Sequence, residues 1–299
     1  MAKVLKLLGI GLAGLLGLIF LAAAILFFIG NNRIHQTYQV TPLAVEVPTG
    51  ADTLSRGEHL VDVACKSCHG ADLSGQPLMD EPGIGTIYTA NLTRGKGGIL
   101  SDHTQQDLVR AIRHGVDHDG RKLFIMPAES FVHLSAEDLG AIIAYLQTLP
   151  PVDREVPQPK LTLVGRILLG AGMFGQPFPA EYIDHQTPFA AMPQIGANLE
   201  YGYYLTRTCT SCHGSDLAGK QPGDPASPFA PNLTMGGELV GWSEADFMNA
   251  LRSGITPSGH ELDPEAMPWK SFGKFHDEEL SAIWMYLQSL PAVATSASK

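Results

Sequence analysis

The sequence of 299 residues predicts an all-α protein in which two tandem domains of one kind follow an N-terminal transmembrane helix. Three observations support this prediction. A long apolar run lies near the N-terminus, and the rest of the chain contains an internal repeat. Within each copy, apolar residues recur at helical spacing between Gly-rich and Pro-rich connections. The two copies are therefore expected to share one helical fold.

The first element is the apolar run from Leu7 to Ile29, which holds 23 residues without a charge. As a helix it would be about 34 Å long, enough to cross the hydrocarbon core of a bilayer. A cleaved signal peptide would have a shorter apolar region that ends at a small-residue site, whereas here the small residues lie inside the run. Lys3 and Lys6 precede it, so the short N-terminal tip is expected in the cytoplasm and the rest of the chain across the membrane. Residues 1–30 are thus predicted to form an uncleaved anchor.

The repeat has a period of about 141 residues and extends through most of each domain. The segment "CHGADLSGQ" matches "CHGSDLAGK", "IMPAESF" matches "AMPWKSF", and "AIIAYLQTLPPV" matches "AIWMYLQSLPAV". We therefore predict a linker over 31–54, a first domain over 55–152, an interdomain linker over 153–197, a second domain over 198–293 and a tail over 294–299.

The helices within each copy have clear start signals and apolar faces. A capping box precedes the middle helix, with Thr104 and Asp107 in the first copy and Ser243 and Asp246 in the second. The last helix carries an apolar stripe that is expected to pack in the core. Its members are Leu139, Ile142, Ile143 and Leu146 in the first copy and Leu280, Ile283, Trp284 and Leu287 in the second.

Between the domains, an apolar stretch from about residue 160 to residue 175 is too short to span a bilayer. It could pack against the domains or lie at the membrane surface. Packing is favoured because the stretch carries one arginine and lacks the basic polar face of an interfacial helix.

All four cysteines belong to two C-x-x-C-H motifs, Cys65-Lys66-Ser67-Cys68-His69 and Cys209-Thr210-Ser211-Cys212-His213. A zinc site would need four ligands, usually from two cysteine or histidine motifs close in sequence, but these motifs lie 144 residues apart. A thioredoxin-like dithiol would be expected in a βαβ pattern, which the flanking sequence lacks. The motifs instead predict covalent attachment of two haem c groups, with His69 and His213 bound to iron.

The sixth iron ligand is expected to be methionine or histidine. Met126 and Met267 stand at corresponding places in the repeat, and each is followed by proline. A methionine is usually core filler, but the paired position favours ligation here. The histidines at 114, 118, 133 and 260 have no histidine counterpart in the other copy and are expected at the surface. Two further pairs, Arg113 with Arg252 and Asn91 with Asn232, could contact haem propionates or be an ordinary helix charge and turn residue.

These motifs, together with the "NLT" segment and the terminal "AYLQTLP" or "MYLQSLP" helix, resemble class I cytochrome c domains. In particular they are similar to the multihaem cytochrome c subunits of membrane-bound alcohol and gluconate dehydrogenases. The resemblance implies that His69 and Met126 are axial to the first haem, and His213 and Met267 to the second. It also implies attachment of haem on the extracytoplasmic side of the membrane. Those subunits typically carry three haem domains, whereas this chain has two.

The expected function is that of a membrane-tethered dihaem cytochrome c without independent catalytic activity. It would transfer electrons between respiratory or photosynthetic redox partners, as the electron-accepting subunit of a membrane dehydrogenase complex or toward a terminal oxidase. The formal net charge of −10 argues against a nucleic-acid partner. The alternative is a dihaem enzyme such as a peroxidase, which needs one open haem site and is disfavoured because both copies offer the same methionine.

Overall fold

The computed structural model describes residues 2–221 and 228–295, so residues 296–299 of the predicted tail and residues 222–227 of the second predicted domain lie outside it. The described chain is mostly helical, as predicted. Its helices are α1 (Ala2–His35), α2 (Ala51–Ala64), α3 (Lys66–His69), α4 (Gln105–His114), α5 (Ala128–Phe131), α6 (Ala136–Thr148), α7 (Leu163–Gly170), α8 (Leu199–Thr206), α9 (Thr210–His213), α10 (Glu244–Ser253), α11 (Trp269–Phe272) and α12 (Asp277–Ser289). Two short 3₁₀ helices span Ile99–Ser101 and Pro179–Glu181.

Each domain is organised by the crossing of its first and last helices, α2 with α6 and α8 with α12. A glycine lies at each crossing. A side chain on Gly57 would clash with the carbonyl oxygen of Ala141, and one on Gly202 would clash with that of Ala282. The backbones of the paired helices are therefore in direct contact in both domains.

The predicted caps and apolar stripes are present in the structure. Thr104 with Asp107 and Ser243 with Asp246 form complete capping boxes at the starts of α4 and α10. All eight stripe residues of α6 and α12 are buried in the two domain cores. Local sequence signals and core packing thus agree for the middle and last helices of each domain.

A small antiparallel sheet combines two strands of the first domain with one from the interdomain stretch, and the helical pattern did not predict it. Its strands are β1 (Pro77–Glu81), β2 (Gly85–Tyr88) and β3 (Lys160–Leu161), in that spatial order. β3 pairs with β2 through Gly85 opposite Leu161, and it leads directly into α7. The sheet therefore ties the start of the apolar interdomain stretch to the first domain.

The N-terminal helix α1 is long and apolar enough to cross a membrane. It continues six residues past Ile29 to His35, and the extended chain that follows lies along the first domain. The Tyr38 N–H donates to Gly120 O at 2.8 Å, and Arg110 Nε donates to Val40 O at 3.0 Å. The segment after α1 is thus packed on the domain that it precedes.

Candidate haem sites

The first C-x-x-C-H turn follows directly from α2. The His69 N–H donates to Cys65 O at 2.9 Å, which closes a single helical turn, α3. Gly70 then has a φ of +87°, a conformation that favours glycine, and the chain reverses. The Gly75 N–H donates back to His69 O at 2.8 Å. The turn is therefore fixed by hydrogen bonds on both sides of the histidine.

The second turn has the same construction in α9. The His213 N–H donates to Cys209 O at 2.9 Å, Gly214 has a φ of +88°, and the Gly219 N–H donates to His213 O at 3.0 Å. Two turns separated by 144 residues thus have nearly identical backbones.

The two motif histidines are held in the form that a metal requires. His69 Nδ1 lies 2.8 Å from Ala90 O, and His213 Nδ1 lies 2.8 Å from Pro231 O. A carbonyl oxygen only accepts, so each Nδ1 carries the hydrogen and each Nε2 keeps its lone pair. Burial lowers the pKa of both imidazoles, which therefore stay neutral at pH 7. A neutral, oriented imidazole fits an axial haem ligand.

The first cysteine of each motif is unsuited to thiol redox chemistry. Burial raises the pKa of the Cys65 thiol to about 12 and that of the Cys209 thiol to about 11. Reactive dithiols depend on a lowered cysteine pKa in an electropositive setting. The raised pKa values of these two thiols therefore argue against a dithiol function.

The two methionines that the repeat singles out occupy equivalent places in the structure. Met126 and Met267 each precede a proline and a one-turn helix, α5 or α11, and both are half-buried. Their carbonyls accept from the N–H two residues on, Ala128 at 2.8 Å and Trp269 at 2.6 Å. Ligation of iron by these methionines remains a prediction.

The paired arginines differ between the domains. Arg113 is fully buried, with Nη2 donating to Val132 O at 2.7 Å and to Thr187 O at 2.9 Å, while its buried Nη1 has no partner among the residues that the structure describes. An unpaired buried guanidinium N–H fits an acceptor such as a haem propionate. Arg252 is exposed and pairs instead with Asp277 at 2.7 Å. The propionate interpretation is thus favoured in the first domain alone.

The paired asparagines are turn residues that fasten the end of each domain. Asn91 Nδ2 donates to Val152 O at 2.8 Å, and Asn232 Nδ2 donates to Val293 O at 2.8 Å. Both side-chain carbonyls accept from the threonine two residues on, Thr93 and Thr234. Both asparagine side chains are therefore hydrogen-bonded to groups of their own domain.

The expected surface position is wrong for one of the unpaired histidines. His114 is buried, and its Nδ1 lies 3.2 Å from His185 Nδ1. Burial and the nearby Arg113 charge lower the pKa of His114 to about 4. His133 is half-buried beside Arg207, whereas His118 and His260 are exposed as expected. Tertiary contacts with the interdomain segment, absent from any local pattern, bury His114.

A polar network at the domain interface was not predicted from the sequence. Asp138 and Glu279 occupy the third position of α6 and α12, and Arg56 binds both, with N–O distances of 2.9 Å. Glu279 also accepts from Tyr201 at 2.7 Å, and Asp138 accepts from Tyr204 at 2.8 Å. Arg56 lies on α2, which precedes the first C-x-x-C-H turn, and both tyrosines lie on α8, which precedes the second. The network therefore joins α2 with α8. The sequence signal that could have indicated this network is the acidic residue at the same position of the last helix in both repeats.

The folds and the two histidine-bearing turns define a pair of haem-binding domains of the cytochrome c type. The chain belongs to the cytochrome c family, whose family model, described as "Cytochrome c", matches residues 54–150 and 201–291. Domains of this family hold haem c covalently.

Several relatives are subunits of dehydrogenases. The chain is 28% identical over 91% of its length to the fructose dehydrogenase cytochrome subunit of Gluconobacter japonicus, of which it covers 59%. It is 29% identical over 80% of its length to the cytochrome c subunit of the quinone alcohol dehydrogenase of Gluconobacter oxydans (strain 621H), of which it covers 55%. It is 27% identical over 80% of its length to a diheme cytochrome c-type protein of Cereibacter sphaeroides, of which it covers 86%. The chain thus spans a little over half the length of these two dehydrogenase subunits.

Proposed function

We propose that this cytochrome is a membrane-anchored electron carrier with two covalently bound haem c groups. Cys65 and Cys68 would attach the first haem, and Cys209 and Cys212 the second. His69 and Met126 would be the side chains that bind one iron, and His213 and Met267 those that bind the other. When bound, haem supplies one-electron chemistry at its iron. The observation that carries the proposal is the duplicated turn, in which each motif histidine makes the same Nδ1 hydrogen bond to a backbone carbonyl.

The protein's own residues would set the conditions for that chemistry. The carbonyls of Ala90 and Pro231 orient the two imidazoles, and hydrogen bonding at Nδ1 raises the basicity of Nε2. Arg113 offers a buried N–H donor, at Nη1, that no group within residues 2–221 and 228–295 accepts. The network around Arg56 joins the two domains that would carry the haems.

We place the haem domains on the extracytoplasmic side of the cytoplasmic membrane, with α1 as a single-pass anchor. The uncharged run and the preceding Lys3 and Lys6 support this orientation. Anchoring would confine encounters with redox partners to the membrane surface.

The proposed donor is a dehydrogenase at the membrane, because several relatives are named as cytochrome subunits of dehydrogenases and α1 would hold this chain at the membrane. The second predicted domain contains 12 acidic and 5 basic residues, and the first contains 12 acidic and 8 basic residues. Complementary charge steers association, so a basic partner surface would dock on the second domain.

The test uses membranes that contain the tagged full-length chain. We expect a dehydrogenase to copurify with it, and an alcohol, gluconate or fructose to reduce its haems while electron flow to oxygen is blocked. If ascorbate reduces the haems but each of these substrates leaves them oxidised, the dehydrogenase partnership is wrong although the cytochrome assignment stands.

A further inference from the structure

The apolar interdomain stretch forms a short structure beside the end of α1, which we call the foot. It consists of α7 and the turn after it, residues 163–174, and it contains one charged residue, Arg166. Leu169 packs in a small core with Leu161 and Phe178. Leu163, Val164 and Met173, in contrast, are 63%, 50% and 59% exposed. The foot thus presents apolar side chains outward while its other side is packed.

The foot and α1 are in direct backbone contact. A side chain on Gly30 would clash with the carbonyl oxygen of Arg166, and a side chain on Gly170 would clash with that of Leu26. Going from 166 to 170 on α7 therefore corresponds to going from 30 back to 26 on α1. The two helices run in opposite directions, so the end of α7 is its part nearer the middle of the apolar run. The chain turns there, and the Met173 N–H donates to Leu168 O at 3.0 Å.

The contact between the foot and α1 lies within the last turns of the uncharged run, not after the run has ended. Leu26 lies three residues inside Ile29, which on a helix is about 4.5 Å. The run is exposed along its length except at Ala23, Ala24, Leu26 and Phe27, which are partly covered. The covering therefore reaches the last two turns of the segment that would lie in the hydrocarbon.

Polar groups lie at the opposite side of the contact. Arg33 pairs with Glu181 at 2.6 Å, and Lys122 also binds Glu181. Arg166 donates from Nη1 to Asn31 at 2.5 Å, so the one charge of the foot reaches back to the polar end of α1. Long cationic side chains near a membrane boundary behave in this way. Charge and apolar surface are thus separated along the direction of α1.

We propose that the foot is embedded in the membrane interface, with Met173 in lipid and Leu163 and Val164 near the headgroups. The inference rests on the proposed anchoring by α1. Ile25, Phe28 and Ile29 lie on the same turns of α1 as the contact with the foot, and they are exposed apolar residues like those of the foot. A surface at the depth of the anchor's last turns meets the same solvent as the anchor, which is lipid. The foot would thereby fix the tilt of the first domain relative to the bilayer.

The test is a depth measurement by spin labelling of the full-length holoprotein in phosphatidylcholine vesicles. The four native thiols would be occupied by haem, so the single added cysteine takes the label. The variants are Met173→Cys and Val164→Cys in the foot, Leu18→Cys in the middle of the anchor, and Met285→Cys as an exposed control on α12. The observable is the ratio of collision with oxygen to collision with a water-soluble nickel complex.

We expect this ratio at position 173 to exceed that at position 285 several-fold and to approach that at position 18, with position 164 intermediate. A ratio at 173 equal to that at 285, with a lipid-like ratio at 18, overturns the foot while the anchor stands. Water-like ratios at both 18 and 173 overturn the anchor and the foot together. Low collision rates with both reagents at 173 indicate protein contact and also contradict the proposal.

Discussion

Met126 and Met267, the proposed methionine ligands, are the residues on which the two haem environments would most depend. If Met126 and Met267 each bind iron through the thioether, both irons are closed to small molecules. We predict that Met126→Ala or Met267→Ala opens only its own haem to carbon monoxide. Each change should lower the methionine-type signal in the ferric spectrum by about half, because two haems contribute equally.

The matched control is Met285→Ala, which removes an exposed methionine from the same domain as Met267. It should leave the spectrum unchanged. Carbon monoxide binding to the unmodified protein at one haem would show that this haem has an open site, and the peroxidase-type alternative would then be preferred.

At the domain interface, Glu279 links protonation to stability. Burial alone would raise the pKa of this carboxyl, but hydrogen bonds from His59 and Tyr201 outweigh burial and hold the pKa at about 2, against an ordinary 4.5. Because the folded pKa is depressed, this stabilisation is present above pH 4.5 and is lost as the pH falls toward 2. Thermal unfolding should therefore show a destabilisation of the interface across that window.

The variant Glu279→Gln should be less stable than the parent at pH 7 and should lose part of the acid dependence, as measured by thermal unfolding at pH 7 and about pH 3. Glu278→Gln changes the exposed neighbour on the same helical turn and should behave as the parent. Equal acid sensitivity of the Glu279→Gln protein and the parent would exclude this carboxyl as the source.

At the scale of elements, the helix crossings require glycine. Alanine normally stabilises a helix interior relative to glycine by up to about 1 kcal/mol. At Gly57 and Gly202, however, the added methyl group would meet a backbone carbonyl of the crossing helix. We predict that Gly57→Ala and Gly202→Ala each destabilise the protein by about 1–3 kcal/mol, measured by chemical unfolding.

The control for this prediction is Ser55→Ala, an exposed position on α2 two residues before Gly57. It should be neutral or slightly stabilising. A stabilising effect of Gly57→Ala would show that α2 and α6 have room to separate, contrary to the packing described.

Elements with local signals were predictable, and those fixed by distant contacts were not. The capping boxes of α4 and α10 and the apolar stripes of α6 and α12 depend on residues within a few turns. The strands β1 to β3 are short, and β3 pairs with a strand more than 70 residues earlier. The position of α7 beside α1 depends on close backbone contacts at two glycines. The sequence around a glycine does not indicate which helix it contacts.

For the whole molecule, duplication made the two domains and both cysteine motifs predictable, because a motif that occurs at the same position of two repeats is rarely accidental. The relation between the domains could not be predicted. Arg56 and Glu279 are 223 residues apart, and their pairing arises only when both copies are folded and docked. The burial of Arg113 beneath Phe189 of the interdomain linker also depends on a contact distant in sequence, with the ring centroid 4.0 Å from the guanidinium carbon.

The measurement that tests the central claim most directly is the mass of the intact, denatured protein purified from membranes. Two covalently attached haems should add two haem masses to the polypeptide, and the variant Cys209→Ala with Cys212→Ala should retain one. This result follows from two equivalent turns, each with two cysteines and an oriented histidine. A mass that exceeds the unmodified polypeptide by one haem, or by none, would contradict the dihaem account.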